Sequence, residues 1–128
     1  FIEKAGENAE GCYGTSSIPP ASDAKLAFDK LYEETYGRAA GSKSTFPWFS
    51  YDTVMALAST ISDVAILGDA GNLYVPRAEL VKAVRGISGY QGITGEITCN
   101  EVGECNASGP TFYIVKDGEW VEASPKAE

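Results

Sequence analysis

Histidine is absent from the 128 residues, and that absence removes more chemistry than any motif present supplies. Without it there is no imidazole general base, no Ser-His or Cys-His nucleophile pair and no His-ligated metal. Basic charge is also scarce, with 10 Lys and Arg against 18 Asp and Glu and a net charge of −8. Nucleic acid and anionic membrane both select a basic footprint, so neither is an expected partner. Long uncharged apolar runs are missing too. A membrane-spanning helix needs about twenty apolar residues without charge, and the most apolar stretch, Phe46 to Gly68, is interrupted by Asp52 and Asp63. Cofactors are not called for.

What remains is an ordinary globular composition, 44% hydrophobic and 22% charged, which makes one domain at most. The stretch Phe46–Gly68 organises it. Tyr51, Val54, Met55, Ala58, Ile61 and Ala65 recur at steps of three and four, as on one face of a buried helix over about 48–67, and Gly68 reads as its stop. Before it, Ser22 offers an N-cap to a helix over about 22–36, with Phe28, Tyr32 and Tyr36 at helical spacing and Gly37 as terminator. Its other face, with Lys25, Asp29, Lys30, Glu33 and Glu34, reads as solvated. Pro76 opens a helix over about 76–87.

From Tyr90 the period changes. Ile93 to Thr98 reads as one strand, and Thr111–Val115 and Glu119–Val121 as two more joined through Lys116-Asp117-Gly118, so that a β-unit covers about 91–122. Asp-Gly between β-rich runs is a strong hairpin signal, because both central positions favour positive φ. A further strand over about 9–15 stands alone, and its partners are expected in a longer parent chain. The opening Phe1-Ile2-Glu3-Lys4-Ala5-Gly6 reads as the end of an earlier helix, so the sequence is expected to be a piece of a longer chain. The last residues, Ser124 to Glu128, read as a polar tail.

Cys99 and Cys105 flank the polar loop Asn100-Glu101-Val102-Gly103-Glu104. That spacing suits a local disulfide and an oxidising compartment. Two reduced thiols are the alternative, and zinc is the weaker option because no CxxC pair or fourth ligand is present. Cys12 reads as a buried, inert thiol. Gly68-Asp69-Ala70-Gly71 is too short for a phosphate loop and reads as a turn between helices. Asp23, Asp29, Asp52 and Asp63 lack the spacing of a paired-carboxylate or calcium site. Asn106-Ala107-Ser108 fits the N-glycosylation triplet, a pattern that arises often by chance. Phe46, Trp48, Phe49 and Tyr51 cluster at a helix entrance, where alternate members can face a cleft; the bland alternative is that all four are core. A helix N-terminus there would favour a carboxylate-bearing ligand.

In order, these motifs resemble the C-terminal part of type I periplasmic binding proteins. Phe1–Gly11 resembles the approach to the last interlobe crossover, and Tyr13-Gly14-Thr15 with its proline-bearing loop resembles the crossover itself. Phe28–Gly37, Ser50–Val54, Ile93–Ile97 and Tyr113–Val121 resemble the following helices and the closing β-unit. Within that family the resemblance is to the leucine/branched-chain amino-acid substrate-binding proteins of ABC transporters. It implies an α/β fold, with helices packed on a parallel sheet and a small antiparallel β-unit at the end of a two-lobed protein. It also implies capture of a small amino acid or other small carboxylate or aromatic acid between the lobes, delivery to an ABC permease in the membrane, a periplasmic or extracellular location (a cell-surface lipoprotein included), and no catalysis. The ligand-facing positions it implies are Ser16, Ser17 and Ile18 after the crossover strand and Phe46 before the second helix, with Trp48 in the same cleft. The family usually carries tyrosine where Phe46 stands; phenylalanine keeps the stacking face and loses the hydroxyl donor. The Cys99/Cys105 pair is not a common family feature. A receptor ectodomain of the same fold is the rival reading, and a small secreted enzyme is a third, hard to sustain without histidine.

Overall fold

A computed structural model of the chain describes residues 1–106 and 111–123. The end of the Asn106-Ala107-Ser108 triplet and the tail Ser124–Glu128 lie outside the described residues. The chain divides into two compact units, one formed by residues 1–18 and 109–128 and the other by residues 19–108.

The first unit opens with a one-turn helix, α1 (Ile2–Ala5), and a 3₁₀ turn (Gly6–Ala9), followed by strand β1 (Tyr13–Ser16). Strands β6 (Thr111–Lys116) and β7 (Glu119–Glu122) complete it. The sheet order is β1-β6-β7, with both pairings antiparallel. Tyr13 lies opposite Ile114 and Ser16 opposite Thr111. This corrects the expectation that the early strand lacks a partner within the chain. Alternation hid the pairing, since Tyr13-Gly14-Thr15-Ser16 shows a sequence reader no apolar face that demands cover.

Val115 and Ala9 form the fully buried centre of this unit. Two backbone bonds tie Val115 to the segment just after Ala9, Gly11 N–H to the Val115 carbonyl (2.9 Å) and Val115 N–H to the Cys12 carbonyl (2.9 Å). The Lys116-Asp117-Gly118 turn has φ of 52° at Asp117 and 77° at Gly118, the positive values that a two-residue hairpin turn requires. Both turn amides donate to the Glu10 carboxylate, at 3.2 and 3.4 Å. Cys12 is half-buried, not fully buried as expected, with its thiol turned toward the Asn8 carbonyl.

The second unit is built on α2 (Asp23–Tyr36), α3 (Phe46–Val64) and α4 (Arg77–Arg85). At α2 the Ser22 hydroxyl accepts from Lys25 N–H, and Gly37 in the left-handed region closes the helix. These are the start and stop that the sequence supplies.

Helix α3 ends before Gly68. Ile66–Leu67 forms a short strand, β2, paired with β3 (Leu73–Tyr74) across the turn at Gly68–Asn72. The β-branched and apolar residues that prolong the helical pattern are here cross-strand partners, so the turn joins strands and not helices. The face of α3 that is buried also differs from the expected one. Trp48, Asp52, Ala56 and Thr60, four residues apart, are buried. Tyr51, Val54 and Met55 on the predicted apolar face are 41, 63 and 41% exposed.

The region read as a strand over Ile93–Thr98 is instead a hairpin, β4 (Tyr90–Gly92) against β5 (Gly95–Ile97), with buried Ile93 and Thr94 at its turn. All strand pairings among the described residues are antiparallel, and none is the parallel pairing that the resemblance implies. Cys99 and Cys105 are joined by a disulfide across a loop of separation six. No helix among the described residues is long and apolar enough to cross a membrane.

Candidate functional site

In the first unit a cavity of about 370 Å³ is lined by Gly14, Thr15, Ser16, Ile18, Tyr113 and Trp120. Strand β1 delivers Gly14 and Ser16 on one side of its alternation, and β6 and β7 supply Tyr113 and Trp120. Glycine at position 14 matters sterically, because a Cβ there would sit 3.0 Å from the Trp120 ring. Trp120 also lies 5.9 Å from the Phe1 ring, centre to centre. Of the residues proposed from sequence, Ser16 and Ile18 line this cavity, and Ser17 between them does not. Tyr113 and Trp120 were read only as strand residues; nothing short of the strand pairing could have brought them to Ser16.

Phe46 and Trp48 belong to the second unit, at the start of α3, and they have opposite fates. Phe46 is 72% exposed, whereas Trp48 is 4% exposed. The indole N–H of Trp48 donates to Asp29 Oδ1 at 2.6 Å, and Lys25 bonds the other carboxylate oxygen at 2.7 Å. The same ammonium lies 4.5 Å from the indole centre, a cation–π geometry. Asp29, expected on a solvated face, therefore bridges an ammonium and an indole. Thr45 makes no side-chain cap to α3, and the Phe46 amide reaches Ser44 Oγ at 3.4 Å.

Four residues after Trp48 on the same helix, Asp52 is 2% exposed. Its carboxylate accepts from Ile93 N–H (2.9 Å), Thr94 N–H (2.8 Å) and the Thr94 hydroxyl. A Cβ at Gly92 would overlap that carboxylate, so glycine is required there by space alone. The Tyr90 phenol, in the same neighbourhood, is pushed above its ordinary value, first by burial and then by the Asp52 and Tyr51 charges. No group of three or more metal-ligating side chains exists among the described residues.

Solved structures align with nearly the whole chain. A leucine-binding protein from Thermotoga maritima superposes with a TM-score of 0.65 at 25% identity, covering 96% of this chain and 33% of its own. A protein from Rhodospirillum rubrum, described as a branched-chain amino acid ABC transporter, gives 0.62 at 25% identity, with coverages of 95% and 33%. The chain carries part of a type I periplasmic binding-protein fold. An ABC transporter substrate-binding protein from Desulfitobacterium hafniense, in complex with leucine, shares that binding-protein fold at 20% identity and a TM-score of 0.64, over 90% of this chain and 32% of its own. The chain thus spans about a third of the length of these structures. No protein-family model matches it, and no curated protein sequence does.

Proposed function

We propose that this chain is part of an extracytoplasmic solute-binding protein of an ABC importer, which captures a small amino acid or a related aromatic or aliphatic carboxylate. The alignment of 96% of the chain with a leucine-binding protein carries the reading. In it, Phe46 of the second unit offers an aromatic face to the ligand's side chain; in the first unit, Ser16 at the end of the crossover strand and Ser17 and Ile18 in the loop after it are the ligand-facing positions that the resemblance implies. An exposed aromatic at the head of a 19-residue helix is suited to that work. Ligand contact compensates its exposure, and the helix N-terminus favours a carboxylate. Trp48 has a different part, since it is buried and its N–H is already committed to Asp29.

The unpartnered apolar face of α3 fits the same reading. Val54, Met55 and Leu57, together with Leu26 and Leu31 of α2, present apolar surface to solvent, and patches of this kind mark contact surfaces. We assign them to the remainder of the parent chain, whose parallel strands would lie against them. The permease is the protein's partner in the membrane, and the compartment is the periplasm or the cell exterior, where the Cys99–Cys105 disulfide persists.

Isothermal titration of the full-length protein with L-leucine, L-phenylalanine and phenylacetate tests the reading. Micromolar or tighter binding of one of them, weakened at least tenfold by Phe46→Ala, is expected. Absence of binding across amino acids and small carboxylates refutes it.

A further inference from the structure

We infer that Asp29 is a positioning residue, which through Trp48 and Lys25 holds the first turn of α3 and so fixes where Phe46 stands. This rests on the proposed ligand role of Phe46.

The first turn of α3 has few supports of its own. Thr45 gives no side-chain cap, and Pro47 contributes no N–H. Phe46 is largely exposed, so packing does not set its direction. What does anchor the turn is Trp48, two residues on. Its ring is closed off by the backbone of Gly41, where even a Cβ would overlap the indole, and by the Lys25 ammonium. Its single polar atom is bound to Asp29. Asp29 is in turn tied to Lys25 one helical turn back on α2. The carboxylate therefore joins Lys25 on α2 to Trp48 in the first turn of α3 through two contacts, and the Trp48 ring in turn closes on Gly41 of the loop before α3. An indole has only one donor, so its hydrogen bond also fixes the ring's rotation within its slot. With the ring fixed, the backbone at Trp48 is fixed, and Phe46 leaves the helix from a defined point. Long solvent-exposed pairs contribute little; this one is partly shielded and shares its acceptor with a buried donor, which raises its worth.

The test is made in the full-length protein with Asp29→Ala, Asp29→Asn and Trp48→Phe, each measured for L-leucine and L-phenylalanine affinity, thermal midpoint and hydrogen exchange. Asparagine keeps an oxygen for the indole N–H, whereas alanine does not. Asp29→Ala should weaken binding about tenfold or more, and Asp29→Asn should restore it to within about threefold of the parent. Trp48→Phe, which keeps the ring beneath Lys25 and loses the donor, should fall between them. In Asp29→Ala the amides of Ser50 and Tyr51, the first to have acceptors within α3, should exchange faster while those beyond Ala56 do not.

Unchanged affinity in Asp29→Ala, in a protein where Phe46→Ala does weaken binding, overturns the inference and leaves the functional reading standing. So does a loss of thermal midpoint with no change in affinity. If the parent binds neither amino acid, the functional reading fails, and the exchange of Ser50 and Tyr51 alone decides whether Asp29 holds the turn.

Discussion

Replacing Asp52 by alanine should be among the most damaging single changes in the second unit. The carboxylate is 2% exposed and satisfies two backbone amides and one hydroxyl at the buried turn between β4 and β5. Truncation leaves three buried donors, each costing about 1–3 kcal/mol when unpaired. Rotation of the Thr94 hydroxyl and entry of water into the vacated space recover part of that. A net loss of about 3–5 kcal/mol is expected, a large share of the roughly 5–15 kcal/mol that holds a domain together. Asp52→Asn should lose less, about 2 kcal/mol, because one oxygen still accepts from Ile93 while the amide NH₂ faces the Thr94 N–H. Urea unfolding followed by circular dichroism gives the totals, and hydrogen exchange locates them. Protection should fall first at Ile93, Thr94 and the β4–β5 amides and only weakly in α2. A midpoint for Asp52→Ala within 1 kcal/mol of the parent refutes the argument that this carboxylate holds the turn.

The other expectations concern separate places. Mutating Cys99 and Cys105 to serine opens a loop of separation six, and chain-entropy reasoning puts the loss near 2 kcal/mol, read as a lowered urea midpoint that reductant reproduces in the parent. Tyr90, whose phenol is raised by burial before charge, should ionise later in an ultraviolet titration than an ordinary tyrosine phenol, and Asp52→Ala should bring it down. Because its folded value lies above the unfolded one, its stabilising contribution is complete below about pH 10 and disappears as the pH climbs through the raised value. Tyr90→Phe should flatten the alkaline limb of the stability profile. Gly14→Ala sets a methyl against the Trp120 ring, so a shift in tryptophan emission is expected, with a stability cost of about 1–3 kcal/mol. An unaltered spectrum and midpoint would show that the ring moves aside freely.

How much of this was legible depends on how far apart the partners stand. Helix α2 was readable because its cap, Ser22, its stop, Gly37, and its apolar spacing are all local. So was the Asp117-Gly118 turn, whose positive φ values are written in its two residues. The end of α3 was not, because Ile66 and Leu67 suit either element and their pairing with Leu73 and Tyr74 decides between them. Asp52 looked like a polar interruption of an apolar helix. Its partners are 41 and 42 residues further on, beyond any local pattern. Asp29 sat in a run of charges that reads as solvated surface, and its role emerges only once Trp48, 19 residues later, is seen to donate to it. The exposed face of α3 shows the limit of periodicity, which finds an apolar stripe but not what covers it.

The pairing of β1 with β6 has a consequence for synthesis. Thr15 meets Phe112, and everything from Pro19 to Ser108 lies between the two strands in sequence. A ribosome must therefore release the whole of the second unit before the first can close its sheet. The second unit is one continuous stretch, free to condense while β6 is still being made, and a condensed intervening stretch shortens the effective loop that β1 and β6 must close. Translation thus sets an assembly order of inner segment first and outer sheet last. A pause in elongation after Ser108 would leave β1 as an open strand edge awaiting a partner.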